Sequence, residues 1–251
     1  MKKHIPNCIT LLNVLAGCIA TVFAVLNQLE LAALFVFIGI FFDFLDGLAA
    51  RALNAYSEIG VQLDSLADMI TSGLVPGIVM FQLLNMAHFG GWNNAFLAEG
   101  TEFLAWKGNN IAWISFSGFL ITMAAAYRLA NFNVDENQVA SFSGLPTPAN
   151  ALLILSLPLI LAHQNSELAS AIILNQWFLM GLTLVSALLM NSKIKLFALK
   201  LKALDIKENG GKYIFLIVSL VLIVVLRYLA IPAIIILYIL FSLVIEREKV
   251  S

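Results

Sequence analysis

Long apolar stretches, parted by short polar or Gly/Pro breaks, run through the whole chain. A helix that crosses a bilayer needs about 20 mainly apolar residues. Stretches of that kind lie near 8–28, 30–52, 58–86, 110–131, 146–163, 168–190, 212–229 and 231–246. Only Arg227, Tyr228 and Pro232 separate the last two. The pattern predicts an all-α, polytopic transmembrane bundle of about eight spans, with six or seven as the alternatives.

Lys and Arg test that alternation, because they collect in cytoplasmic loops. With the N-terminus inside, Lys2, Lys3, Arg51, Arg128, Lys193, Lys195, Lys200, Lys202, Lys207, Lys212, Arg247 and Lys249 are cytoplasmic, and only Lys107 and Arg227 face out. Eight spans with both termini in the cytoplasm satisfy twelve of the fourteen. The loop 87–109, with Gly90-Gly91-Trp92 and Trp106, reads as an outer interfacial segment where indole rings sit at head-group level. The basic stretch SKIKLFALKLKALDIKENGGK from Ser192 reads as a positive-inside loop, with attraction to anionic lipid as the alternative.

Composition agrees. Of 251 residues 61% are hydrophobic and 12% charged, against about a quarter charged in soluble domains, and mean hydropathy is +0.94. A soluble or peripheral protein is excluded on that basis, and a formal charge of −1 gives nucleic-acid binding no support. Cys8 and Cys18 are ten residues apart in one helix, about 15 Å, so they do not bridge each other. The apolar stretch after Met1-Lys2-Lys3 lacks a small-residue cleavage pattern and reads as an uncleaved first span.

Against this background four acids stand out in DFLDGLAARALNAYSEIGVQLDSLADM: Asp43, Asp46, Asp64 and Asp68. Each costs about 2.5–3.5 kcal/mol at the centre of a span, so four unpaired acids would cost on the order of 10–14 kcal/mol. At 100° per residue Asp43, Asp46, Gly47 and Ala50 share about 100° of arc on one helix, and Gly60, Asp64, Ala67 and Asp68 a similar arc on the next. Two antiparallel helices then face each other across a cleft lined by carboxylates and floored by Gly and Ala. Carboxylates that close repel unless cations neutralise them, and oxygen-only ligands favour Mg²⁺, Mn²⁺ or Ca²⁺. Arg51 and Ser57 flank the cleft as donors to a phosphate. A two-metal phosphate-handling site and a carboxylate-lined cation transporter both follow from this spacing. The histidines His4, His88 and His163 fall on separate segments and read as interfacial; neither Cys has a His partner, and no Walker-type or dinucleotide loop appears.

The residues Asp43-x2-Asp46-Gly47-x2-Ala50-Arg51-x8-Gly60-x3-Asp64-x3-Asp68 spell a pattern that resembles the signature of the CDP-alcohol phosphatidyltransferases, with all eight fixed positions present over 26 residues. The resemblance implies that family's membrane fold, and transfer of a phosphatidyl group from a CDP-linked lipid to an alcohol with release of CMP. It implies that Asp43, Asp46, Asp64 and Asp68 hold two divalent ions, Mg²⁺ or Mn²⁺ with Ca²⁺ as the alternative, and that Asp68 is also the general base. Gly47, Arg51 and Ser57 would contact the CDP-diacylglycerol head group. Ile5-Pro6-Asn7-Cys8-Ile9-Thr10 also resembles the family's start of helix one, where Asn7 and Thr10 would approach the nucleotide.

Leu63-Asp64-Ser65-Leu66-Ala67-Asp68, Tyr127-Arg128-Leu129-Ala130-Asn131-Phe132-Asn133 and Gly144-Leu145-Pro146-Thr147-Pro148 resemble the serine-using, membrane-integral bacterial members of the family. Relatives usually carry Arg at the position of Asn131. The implied acceptor is L-serine and the product phosphatidylserine, with glycerol 3-phosphate or inositol as alternative alcohols. Arg128 is either a site for the serine carboxylate or a positive-inside anchor. The resemblance further implies a homodimer in the bacterial inner (cytoplasmic) membrane, its active site facing the cytoplasm. Residues 1–190 would form the catalytic transmembrane domain, and 191–251 the basic loop with two C-terminal spans.

Overall fold

The computed structural model describes residues 4–89, 112–134, 142–164, 166–196 and 206–248. Helix α1 (Ile5–Val25) starts with Pro6 in its first turn, where the missing N–H costs nothing. Its buried face is Pro6, Thr10, Asn13, Ala16, Gly17, Ala20 and Ala24, a stripe of mostly small side chains at helical spacing. Small residues let two backbones approach closely inside a membrane. Helix α2 (Leu29–Ala52) answers with Leu29, Ala32, Ala33, Val36 and Gly39, after a tight turn in which Asn27 has φ 59°.

Ser57 caps α3 (Glu58–Asp68), its Oγ accepting from the Gly60 N–H at 3.0 Å. Directly after Asp68 the helix widens into a π-helical segment, Met69–Leu74, before continuing as α4 (Val75–Phe89). Such segments are rare and frequently mark functional sites. Here the widened turn carries Thr71 into the α1–α2 interface: a Cβ on either Gly17 or Gly39 would come within 2.7 Å of Thr71 Cγ2. Helix α4 is the central post of the bundle. Its Val75, Val79, Met80, Leu83 and Leu84 are fully buried, in one core with Ile121 and Ala125 of α5 (Leu120–Val134) and with Ile154 and Leu155 of α6 (Thr147–His163). A 3₁₀ segment, Trp113–Phe119, leads into α5.

Helices α7 (Glu167–Ile173) and α8 (Gln176–Met190) meet at a bend of 61°, where Asn175 Oδ1 caps α8 by accepting from the Trp177 and Phe178 N–H groups. Strands β1 (Phe142–Ser143) and β2 (Lys195–Leu196) pair antiparallel, Phe142 opposite Leu196. Gly144 follows β1 at φ 71°, with the Leu189 and Met190 carbonyls so close that any Cβ would collide with them. Helices α9 (Ile206–Leu226) and α10 (Ala230–Glu248) flank a 3₁₀ turn, Arg227–Leu229. The Phe215 ring lies 5.9 Å from that of Tyr238. In one continuous helix those residues would stand about 35 Å apart, so the chain folds back at Arg227.

The fold is the all-helical membrane bundle expected, but the count of eight spans is not confirmed. Among the described residues five helices can cross a bilayer by length and composition, or six if α7 and α8 form one bent span. That count takes Tyr213–Leu243 as a single stretch and omits Thr147–His163, which has 17 residues. The expected outer loop with Gly90-Gly91-Trp92, Trp106 and Lys107, and residues 197–205 of the basic stretch, lie outside the described residues.

Candidate active site

The site is built where α2 ends, α3 begins and α1 crosses both. Asp43 and Asp46 project from one face of α2, Asp64 from α3, and each offers a carboxylate oxygen within 4.8 Å of the others. The α2–α3 connection that brings them face to face is short, with Asn54 at φ 47° and Ser57 as the N-cap. Asp46 is 6% exposed. Asp68, one turn beyond Asp64, stands outside that tight trio but within electrostatic reach of all three of its members. Ionised carboxylates are acceptors only and cannot satisfy one another.

Among the described residues none of the four acids forms an ion pair; the one such pair, His163 with Glu30, belongs to the start of α2. Asp46 Oδ2 and Asp68 Oδ1 are buried without any hydrogen-bond partner. Converging oxygen donors, half-buried or buried and without an ion pair among the described residues, fit a hard divalent cation, which takes carboxylate oxygens and keeps room for water or phosphate. Zinc, which prefers His and Cys, has neither here.

The expected phosphate-side residues collect around the same acids. Arg51 Nε donates to the Gly47 carbonyl at 2.9 Å, which folds the guanidinium back over Gly47, and its Nη2 lies 3.8 Å from where a Gly47 Cβ would stand. Asn7 Oδ1 approaches Gly60 from α1, 3.2 Å from the position of a Cβ there, so Asn7, Ser57 and Gly60 share one corner. Thr10 is buried, donates to the Pro6 carbonyl at 3.1 Å, and adjoins Asp46. The capping bond occupies a lone pair of Ser57 and leaves its hydroxyl proton for a ligand.

Arg128 is held elsewhere. Its Nη1 donates to the Met190 carbonyl at 2.8 Å, capping the end of α8 beside Tyr238 of α10. The Gly144 and Leu145 N–H groups and Asn191 Nδ2 tie down the same corner through Ile194, Leu189 and Ala124. Two of the histidines are engaged away from the four aspartates, His88 on Gln176 and His163 on Glu30.

Two functional candidates had not been singled out from the sequence. Asn133 accepts from Ser65 Oγ at 3.0 Å and donates to Gln62 Oε1 at 3.2 Å, holding the acid-bearing helix α3 against α5. Asn13 lies fully buried on α1 next to Asp68. A lone amide in the middle of an apolar span was the available signal, since such groups are costly there and usually functional.

The chain is similar to known proteins over most of its length. The family model for CDP-alcohol phosphatidyltransferase matches residues 3–189. The CDP-diacylglycerol–serine O-phosphatidyltransferase of Bacillus subtilis is 30% identical over 169 residues, 64% of this chain and 81% of that protein. That of Methanocaldococcus jannaschii is 29% identical over 182 residues, 72% and 71% of the two chains. That of Helicobacter pylori is 30% identical over 151 residues, 59% and 54%.

Proposed function

The chain belongs to the CDP-alcohol phosphatidyltransferase family, and from that premise we propose that it transfers the phosphatidyl group of CDP-diacylglycerol to L-serine, giving phosphatidylserine and CMP. The observation that carries this reading is the cluster of Asp43, Asp46 and Asp64 with Asp68 beside it, without an ion pair among the described residues and flanked by Arg51 and Gly47. The printed names of the bacterial and archaeal relatives support serine as the acceptor.

Asp43, Asp46, Asp64 and Asp68 would hold Mg²⁺ or Mn²⁺, most economically as two ions. Bound there, the ions supply positive charge to the pyrophosphate oxygens and to the departing CMP. The chain's own groups do the rest. Arg51 keeps its Nε on the Gly47 carbonyl and directs the remaining N–H groups at the pyrophosphate. Gly47 and Gly60 leave room for the cytidine diphosphate, with Asn7, Thr10 and Ser57 along its edge. Asp68 accepts the serine hydroxyl proton as the hydroxyl oxygen bonds to the lipid-side phosphorus and the phosphorus–oxygen bond to CMP breaks.

The excess of Lys and Arg at the same ends of the helices supports a site on the cytoplasmic face of a multi-pass membrane protein. Residues 1–190 would carry the chemistry and 191–251 would brace it, and Arg128, given to the Met190 carbonyl, joins the bracing. The test is CMP release by purified protein given CDP-diacylglycerol, Mn²⁺ and, in turn, serine, glycerol 3-phosphate or inositol. Turnover with serine alone is expected. Turnover with glycerol 3-phosphate and not serine would overturn the acceptor, and cation flux through proteoliposomes without CMP release would overturn the reaction class.

A further inference from the structure

Asn13 stands midway along α1, fully buried, and neither its Nδ2 nor its Oδ1 has a hydrogen-bond partner. A buried amide left in that state is destabilising, and native proteins keep few of them. Its surroundings are specific. The Oδ1 arm lies against Gly39 of α2, where a Cβ would come within 2.8 Å of it. With that arm lodged in the notch, the planar amide turns its Nδ2 arm to the other side. The Asp68 carboxylate adjoins Asn13, and Asp68 Oδ1 is itself buried without a partner. An unused donor and an unused acceptor therefore sit side by side.

Thr71 fixes the other half of the arrangement. It follows Asp68 by three residues, and its Cγ2 occupies the same notch, 2.7 Å from where a Cβ on Gly39 or on Gly17 would stand. Its Oγ1 donates to the Ala67 carbonyl at 2.9 Å. The glycine notch thus locates both Asn13 and the end of α3 that carries Asp68, and the π-helical turn is what lets Thr71 reach it.

Resting on Asp68 as the base in the reading above, we propose that Asn13 is a positioning residue for Asp68. Its Nδ2–H donates to Asp68 Oδ1, which leaves Oδ2 to take the serine proton, and Gly39 is small because the Asn13 amide needs that space. A single donor makes the two carboxylate oxygens unequal and sets the plane of the group, as outer-shell partners do for catalytic carboxylates.

Asn13→Leu keeps the side-chain volume and removes the donor. The expected result is a loss of about tenfold or more in kcat for CMP release, with KM for serine, KM for CDP-diacylglycerol and direct calorimetric binding of CDP-diacylglycerol unchanged. Gly39→Ala, which displaces the amide, should give the same split, and Asn13→Ser, which keeps a shorter donor, should recover part of the loss. In an Asp68→Asn background Asn13→Leu should cost nothing further, because residues acting through one group are not additive. Full kcat in Asn13→Leu overturns the proposal, as does a raised serine KM at unchanged kcat, or a multiplicative loss on top of Asp68→Asn. If Asn13→Leu fails to bind CDP-diacylglycerol, Gly39→Ala decides, and wild-type kcat there overturns the proposal. Full activity in Asp68→Asn alone would instead remove the base on which the proposal stands.

Discussion

Glu30 and Asp43 lie on the same helix, 13 residues and about 20 Å apart, and their surroundings differ completely. At the start of α2 Glu30 meets His163 Nε2 at 3.2 Å, His163 stacks on Tyr228, and Gln164 Oε1 accepts from the Leu229 N–H at 3.1 Å. Nearby, Gln82 Nε2 donates to the Ala24 and Val25 carbonyls and closes the end of α1. Each of those side chains has a protein partner, and among the described residues only Asn27 Oδ1, in the turn before α2, is left buried without one at that corner. At the other end of α2 the acids converge on one another, with two carboxylate oxygens and a whole amide left unpartnered. Polar groups of the first kind hold helices together, and it is the convergence of the carboxylates in the second that calls for something other than protein. Burial alone would not separate the two, because the Glu30–His163 pair is half exposed while Asp46 is buried.

The largest effect expected from breaking the contrast is catalytic. Asp68→Asn should lower CMP release by about 10²–10⁴-fold, the usual contribution of a positioned base, while the variant stays inserted and binds CDP-diacylglycerol. Glu30→Gln should leave turnover at the wild-type level in the same assay.

Stability sharpens the comparison through its sign. In metal-stripped protein Asp43→Asn removes one of the repelling carboxylates and should raise the melting temperature, since like charges held together are strained without a cation. Glu30→Gln should lower the unfolding free energy slightly, by at most about 1 kcal/mol, because an ion pair that exposed contributes little. A destabilised, metal-free Asp43→Asn protein would place the acids in a structural role.

Much of this site was legible in the sequence because it is local. Asp43, Asp46 and Gly47 on one helix, and Gly60, Asp64 and Asp68 on the next, follow from a 3.6-residue period, and the fold-back at Arg227 follows from the only polar break in a long apolar run. What the sequence concealed depends on tertiary contact. MITSGL has nothing in its composition that distinguishes a π-helical turn from an α-helical one; the widening goes with Thr71 entering the notch between Gly17 and Gly39, which lie 54 and 32 positions earlier. Asn13 earned no role until that notch was visible. Arg128 reads equally as anchor or as ligand, and nothing in the sequence signals the bond of its Nη1 to the Met190 carbonyl, 62 positions on. The span count of eight is not confirmed: by length and composition Tyr213–Leu243 reads as one stretch among the described residues, and Thr147–His163, with 17 residues, falls short of a span.

The most direct test of the contrast between the two ends is a Mn²⁺ titration of the purified protein followed by electron paramagnetic resonance, in wild type, Asp43→Asn, Asp64→Asn and Glu30→Gln. Saturable binding is expected in wild type and in Glu30→Gln, tightened by CDP-diacylglycerol and lost or sharply weakened in the two aspartate variants. Equal Mn²⁺ binding in all four proteins, or none in wild type, would contradict the assignment of the converging carboxylates to metal and leave their isolation in the membrane without a cause.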